Sequence, residues 1–383
     1  MNTKTAVRRL GRANFLVAWA ILTITALPSL PLQAADWPFA RGDAQGTGAV
    51  ATQLPPELTE QWRYEAGEAI DATVVVADQT VYIADAMGTV HAVGLSDGLL
   101  RWQAETDLGF LAPPAVRDQT LVIGDIDGVV YAFDTKTGER RWTFASDGEI
   151  NAGAMFYGTT VLVPSQDGNL YALNAADGQL VWQYETTDQI QCSPTIAGSQ
   201  TFLGGCDGQL HAVGLEEGKA ASEPLPLGGP TLSTPAVVGD HAFLTTHGGL
   251  VLAFDWKKNE RLWEFDDPER KQEYRSSPAA TESTVVVASQ FRKVIALDAA
   301  TGQLRWSKML RRFADASPII AGDDVWVAAT DGRLYRFALA DGTLRWQYEI
   351  RGSFHAAPVV SDGRLLVAND DGTVIAFGGS PSP

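Results

Sequence analysis

The chemistry available to this chain is limited by its few reactive side chains. It has five histidines, His91, His211, His241, His247 and His355, and two cysteines, Cys192 and Cys206. No two histidines have zinc-ligand spacing. There is no H-E-x-x-H, no G-x-S-x-G and no glycine loop that would cradle a phosphate. An aspartate recurs immediately before a turn glycine, at Asp127, Asp167, Asp207, Asp331 and Asp371. A ring of carboxylates would hold cations, but aspartate here is also turn chemistry, and a turn role is expected. His91 and His211 share one column with Tyr131, Tyr171 and Tyr335, which marks them as packing residues. One other column varies like a surface: Asp71, Leu111, Asn151, Gln191, Leu232, Arg275, Asp315 and His355. Its polar members, Asp71, Asn151, Gln191, Arg275, Asp315 and His355, are the candidate binding residues, suited to a small anion or a peptide loop. No nucleophile, base and orienting group stand together, so no catalytic residue and no metal site is expected.

Repetition sets the elements that must position these residues. AFDTKTGERRW (132–142), ALNAADGQLVW (172–182), ALDAATGQLRW (296–306) and RFALADGTLRW (336–346) are one pattern. A tryptophan column, Trp62, Trp102, Trp142, Trp182, Trp263, Trp306 and Trp346, recurs about every 40 residues, with Ser222 in the one gap. A second column, mostly proline, runs through Pro114, Pro194, Pro235, Pro278, Pro318 and Pro358. Within a unit, TLVIG and VVYAF are short β-branched and aromatic runs parted by Asp-Gly, a hairpin signal. Four short strands in such a unit make a propeller blade. The last unit, Pro358 to Phe377, stops before its own tryptophan strand. The strand around QWRYE, with Trp62, is therefore expected to complete it and close an all-β, eight-bladed ring of four-stranded blades, which hides the sheet edges. The variable column then opens each innermost strand, at the mouth of the central channel. Small residues follow it (Ala72, Ala112, Ala152, Cys192, Ser233, Ser276, Ala316, Ala356), as a crowded axis requires.

The hydrophobic fraction of 45% excludes global disorder. With 29 basic against 46 acidic residues and a net charge of -17, nucleic acid and anionic lipid are poor partners. Residues 1–34 read as a signal peptide: Lys4, Arg8, Arg9 and Arg12, then an apolar run from Phe15 to Leu27, then a small-residue cleavage site at Ala34. The run is shorter than the ~20 residues of a membrane span. A periplasmic or secreted protein without a transmembrane segment in its mature chain is expected. A lead-in (35–59), one propeller (60–379) and a tail (380–383) would follow. Cys192 and Cys206 sit symmetrically about Ser199 in a hairpin of the blade that lacks its tryptophan, so a disulfide is expected in the oxidising compartment. Two stretches break the repeat: ASEPLPLGGP (221–230), and DDPERKQEYR (266–275) with SQFRKV (289–294). They mark either a partner surface or drift that loops tolerate.

The string A-x-D-x-x-T-G-x-x-x-W at 132–142 and 296–306 resembles the tryptophan-docking motif of quinoprotein-type, or pyrroloquinoline quinone (PQQ)-like, repeat propellers. WPFARGDAQGTG (37–48) is similar to their lead-in. The resemblance implies that the seven tryptophans pack between blades. It covers two branches, the quinoprotein dehydrogenases, which bind PQQ and Ca²⁺, and non-catalytic propellers such as the outer-membrane assembly lipoprotein BamB. The dehydrogenases are longer and carry an adjacent Cys-Cys, absent here, and no Ca²⁺-ligand set matches. The lipid-attachment cysteine of BamB is also missing. The expectation is a non-catalytic, monomeric protein-interaction scaffold without cofactor, whose partners are envelope proteins or peptide segments. The alternatives are a PQQ/Ca-dependent oxidoreductase and a small-molecule or glycan sensor at the funnel.

Overall fold

Thr120–Gly124 and Val129–Asp134 show how one blade is made. Their β-branched and aromatic side chains are buried on both faces, as central strands of packed sheets require. Arg140–Ala145 beside them alternates exposed and covered residues, the pattern of an outer strand. In the computed structural model, which describes residues 1–2 and 36–379, this unit occurs eight times. Blades 1 to 7 span 75–105, 115–145, 155–185, 195–226, 236–266, 279–309 and 319–349. Blade 8 joins Val359–Ser361, Arg364–Ala368 and Thr373–Gly378 to Thr59–Glu65. Glu60 faces Phe377 and Trp62 faces Ala376, so the first long strand closes the ring as the sequence requires. All described strands lie in the unit Ala34–Pro383. The tail and all but the first two residues of the expected signal peptide lie outside the described residues. Among the described residues no helix is long and apolar enough to cross a membrane.

The tryptophans weld blade to blade. The indole Nε1 of Trp62, Trp102, Trp142, Trp182, Trp263 and Trp306 each donates to a carbonyl of the following blade, at 2.8 to 3.1 Å. Each ring lies flat against a glycine of that blade. At Gly178, with φ +74°, a Cβ would stand 2.6 Å from Trp142 Cε3, so only glycine admits the stack. Trp346 instead stacks on Tyr348 and meets Phe377 edge-on.

The breaks in the repeat resolve differently. In blade 4 the outer strand shrinks to Leu225–Pro226. In blade 6 the two irregular stretches fit each other. The Arg270 guanidinium lies 4.1 Å from the Phe291 ring centroid, and Lys293 Nζ reaches Asp267 at 2.6 Å and Glu269 at 2.8 Å. Ser289 Oγ donates to Gln272 Oε1 at 2.7 Å. The long loop replaces the missing turn contacts, which supports drift followed by compensation.

The expected disulfide is corrected: Cys192 and Cys206 are free thiols. Thr195 faces Phe202 and Ile196 faces Thr201, so the register is one residue away from symmetry about Ser199. Beyond the strand the register shifts again: Ile190 bridges Gly205 and Cys206 N donates to Gln189 O, so Cys192 lies beside Gly204 rather than Cys206. Cys192 Sγ is buried and exchanges hydrogen bonds with Gly204. Cys206 Sγ accepts from Gln191 Nε2 at 3.4 Å.

Candidate functional site: the central funnel

The lead-in builds the floor of the site. Val76, Val116, Ile196, Val237, Ala280 and Ile320 occupy one column of the innermost strands. Their amides donate to the carbonyls of Trp37, Pro38, Ala44, Gln45, Thr47 and Gly48 at 2.7 to 2.9 Å. Residues 37–48 thus run around the inside of the channel at one level. Ala49–Val50 then adds a parallel fifth strand to blade 7, with Ala49 facing Ile320. Five residues earlier in each unit, in the loop that leads into the innermost strand and not on the strand itself, stands the variable column.

All eight members of that column line one cavity of about 180 Å³. Asp71, Asn151, Gln191, Arg275, Asp315 and His355, the candidate binding residues, are therefore brought together, with Leu111 and Leu232 completing the rim. His355 Nδ1 lies 3.7 Å from Asp315 Oδ2. That carboxylate holds His355 above the ordinary histidine value in spite of burial, and Asp71 adds to the rise. Burial pushes Asp315 up, but the nearby His355 imidazole and a hydrogen bond from Gln290 outweigh it and hold the acid below the usual range. Arg275 Nε donates to Glu273 at 3.0 Å, Asn151 Nδ2 to Glu149 at 3.1 Å, and Gln191 Nε2 to Gln189 at 2.8 Å. Asn151 Oδ1 is buried without a hydrogen-bond partner.

Between rim and floor lies a ring that the sequence reading did not single out. Gly153 N donates to Ser193 Oγ, Ser193 N to Thr234 Oγ1, Thr234 N to Ser277 Oγ, and Ser277 N to Ser317 Oγ, at 2.9 to 3.1 Å. Ala357 N donates to Thr73 Oγ1 at 3.0 Å across the closure of the ring. At five of the eight junctions a blade thus hands an amide proton to the hydroxyl of the next, while Pro113, Gly153 and Ala357 offer no hydroxyl at the other three. The signal was a small or hydroxyl residue before the proline column. Arg41, also unforeseen, rises from the lead-in and is 4% exposed. Its Nη2 donates to the carbonyls of Pro278 at 3.0 Å and Pro318 at 2.8 Å. Burial pushes its pKa down to about 10, against the pull of Asp43. The lead-in lies outside the repeat, so no column could place this residue.

His91 and His211 are structural. His91 bridges Asp85 at 2.9 Å and Tyr64 at 2.9 Å, and His211 bridges Asp207 at 2.8 Å and Tyr184 at 3.0 Å. In blades 2 and 3, Tyr131 and Tyr171 take the same place and donate to Asp125 and Asp167. An arrangement that recurs with interchangeable residues braces the blade. Asp167 and Asp207 also accept the amides of Asn169 and Gln209 and so hold their turns. In blades 1 and 2 that duty falls to Asp85 and Asp125. Blade 7 departs from it: Asp331 pairs with Arg333 through Oδ2, and its Oδ1 has no partner.

A quinone held by Ca²⁺, the group of the dehydrogenase branch, does not fit these residues. Among the described residues no three His, Cys, Asp or Glu side chains are grouped to hold a metal ion. The cavity is smaller than the ~300–1,000 Å³ of ordinary ligand pockets, and Ala40 and Arg41 line it from the lead-in. No quinone chemistry is derived for it.

Comparison with known proteins agrees with this architecture. No curated protein matches the chain by sequence. Among solved structures it is similar to BamB from Moraxella catarrhalis, with a TM-score of 0.75 and 21% identity over 85% of this chain and 99% of that one. It is also similar to the quinohemoprotein alcohol dehydrogenase from Comamonas testosteroni, with a TM-score of 0.75 and 14% identity over 91% and 82%. The computationally designed protein Ika8 gives 0.72 and 17% over 82% and 98%. At these identities the likeness is one of fold. The sequence profile of the family described as outer membrane protein assembly factor BamB matches residues 50–223, 191–281, 274–350 and 338–380. The chain, matched over most of its length, belongs to that family of PQQ-like propellers.

Proposed function

We propose that this protein is an exported, non-catalytic docking module that presents the funnel face to other envelope proteins during outer-membrane assembly. One observation carries the reading. Position after position recurs around the ring, yet at the channel mouth the eight units carry six different residue types on a single surface. A structural position would repeat, whereas a contact surface for an asymmetric partner need not. Beside the mouth, at the junction of blades 1 and 2, Met87, Leu108, Leu111 and Ile126 are exposed, Met87 by 65%. Ile126 N donates to Gly109 O at 3.2 Å, which holds these loops side by side. Exposed apolar groups next to a polar cleft suit a peptide or protein partner.

The test is affinity capture from a solubilised envelope fraction. The wild type should retain an outer-membrane assembly component, and the double variant M87E/L111D should lose it at least tenfold while staying folded. Equal capture by both proteins contradicts the reading. So does stoichiometric quinone absorbance after reconstitution with PQQ and Ca²⁺, accompanied by alcohol-dependent dye reduction.

A further inference from the structure

We propose that the depth of the funnel is a receptor for a single carboxylate group, held by Arg41 and the hydroxyl ring. The inference rests on the funnel as the contact site and adds the chemistry of what enters it. Arg41 is a buried cation with no carboxylate within ion-pair distance among the described residues. Its Nη2 is engaged by two carbonyls, but Nε and Nη1, with three N–H bonds between them, have no acceptor. Nε and Nη1 are closed off from solvent as they stand, but buried donors without partners are rare and a buried unpaired charge is costly, so a small shift of the guanidinium toward the cavity it lines would be offset by an acceptor there.

The wall above it carries the same polarity. The hydroxyls of Thr73, Ser193, Ser277 and Ser317 each accept a backbone amide, and among the described residues none donates to another group. Their O–H bonds are uncommitted, and all four residues line the cavity with Arg41. The depth of the cavity is therefore rich in donors. The rim acids Asp71 and Asp315 stand at the mouth, and Asp315 is already occupied by His355 and Gln290.

A carboxylate matches this set. It is acceptor-only, it brings one negative charge to one guanidinium, and it fits the small volume. At depth a dianion such as phosphate would meet the same single cation, since Arg275 and His355 stand at the mouth beside Asp71 and Asp315. Two sources share this chemistry, a free small carboxylate and the chain end of a docked peptide.

The experiment titrates the intact protein with sodium acetate, sodium phosphate, a short peptide with a free C-terminus and the same peptide amidated. Calorimetry reads binding, and the Nε–Hε resonance of Arg41 reports the site directly. Acetate should move that resonance, and R41M should weaken acetate binding at least tenfold. A free-ended peptide that outcompetes acetate, with the amide inactive, identifies a chain end. Acetate as tight as the peptide identifies a free carboxylate. An unmoved Arg41 resonance with both ligands, equal acetate binding by R41M, or phosphate binding more tightly than acetate overturns the proposal. If R41M fails to fold, the wild-type resonance alone decides. Envelope capture and its loss in M87E/L111D are read separately, so the carboxylate site can fail while the docking reading stands.

Discussion

Ser222 Oγ lies 3.1 Å from Asn259 Oδ1, at the junction of blades 4 and 5. Six other junctions stack a tryptophan on a glycine at this place. Asn259 keeps the positive φ of the lost glycine, +55°, which asparagine tolerates better than most residues. Both halves of the stack are replaced together, because an asparagine side chain would collide with an indole. The substitutions S222W and N259G should therefore be coupled. Neither alone should stabilise the protein, and the double variant should exceed the sum of the singles by about 0.5–3 kcal/mol. Urea denaturation of the four proteins measures this, and strict additivity would contradict the pairing.

At an intact junction the same argument runs the other way. Trp142 is 8% exposed and its indole donates to Ala175 O at 3.0 Å. Trp142→Ala should cost about 3–5 kcal/mol, as aromatic truncations in cores do. G178A, which moves a Cβ into the indole at a left-handed φ, should destabilise in the same direction. A urea midpoint shift no larger than that of a surface substitution would remove the tryptophans from the account of stability.

His355 and Asp315 give the rim a pH dependence of known sign. His355 lies above its ordinary value of 6.5, so its contribution is complete below that value and is lost as pH rises through the folded pKa. Asp315 lies below its ordinary 3.8, so its contribution is present above that value and is lost as pH falls through the folded pKa. The pair therefore acts between these limits. A carbon–proton NMR titration should place the His355 midpoint above 6.5, and D315N should lower it. A midpoint at or below 6.5, or one indifferent to D315N, contradicts the pairing.

The thiols should differ in reactivity. Burial pushes Cys192 up to about 12, whereas Cys206 is partly exposed and its thiol is raised less far. Under native conditions at pH 8, iodoacetamide should label Cys206 slowly and leave Cys192 untouched until denaturant is added. An intact mass two hydrogens lighter in non-reduced protein would restore the disulfide.

The blades were legible because each repeats its own evidence. Val122, Val130 and Trp142 fall at positions whose counterparts recur around the ring, so eight weak signals act as one. The rim was legible for the opposite reason, since Asp71, Arg275 and His355 break a column that topology places at the mouth. Two features escaped. Arg41 lies in a segment that occurs once, and its place depends on carbonyl contacts with six blades that no periodicity encodes. The cysteine pairing failed because the register at the turn does not carry through to the cysteines: Thr195 faces Phe202, yet Ile190 faces Gly205.

The central claim is that the funnel face meets the partner. A photo-crosslinking amino acid placed in turn at Asn151, Gln191 and Leu111 on the rim, and at Arg117 and Asp240 between the inner strands on the far side of the blades, tests it most directly. After irradiation of intact cells, the rim positions should give crosslinks to an envelope protein and the far positions none. Crosslinks confined to the far positions, or equal from both sets, would contradict the claim.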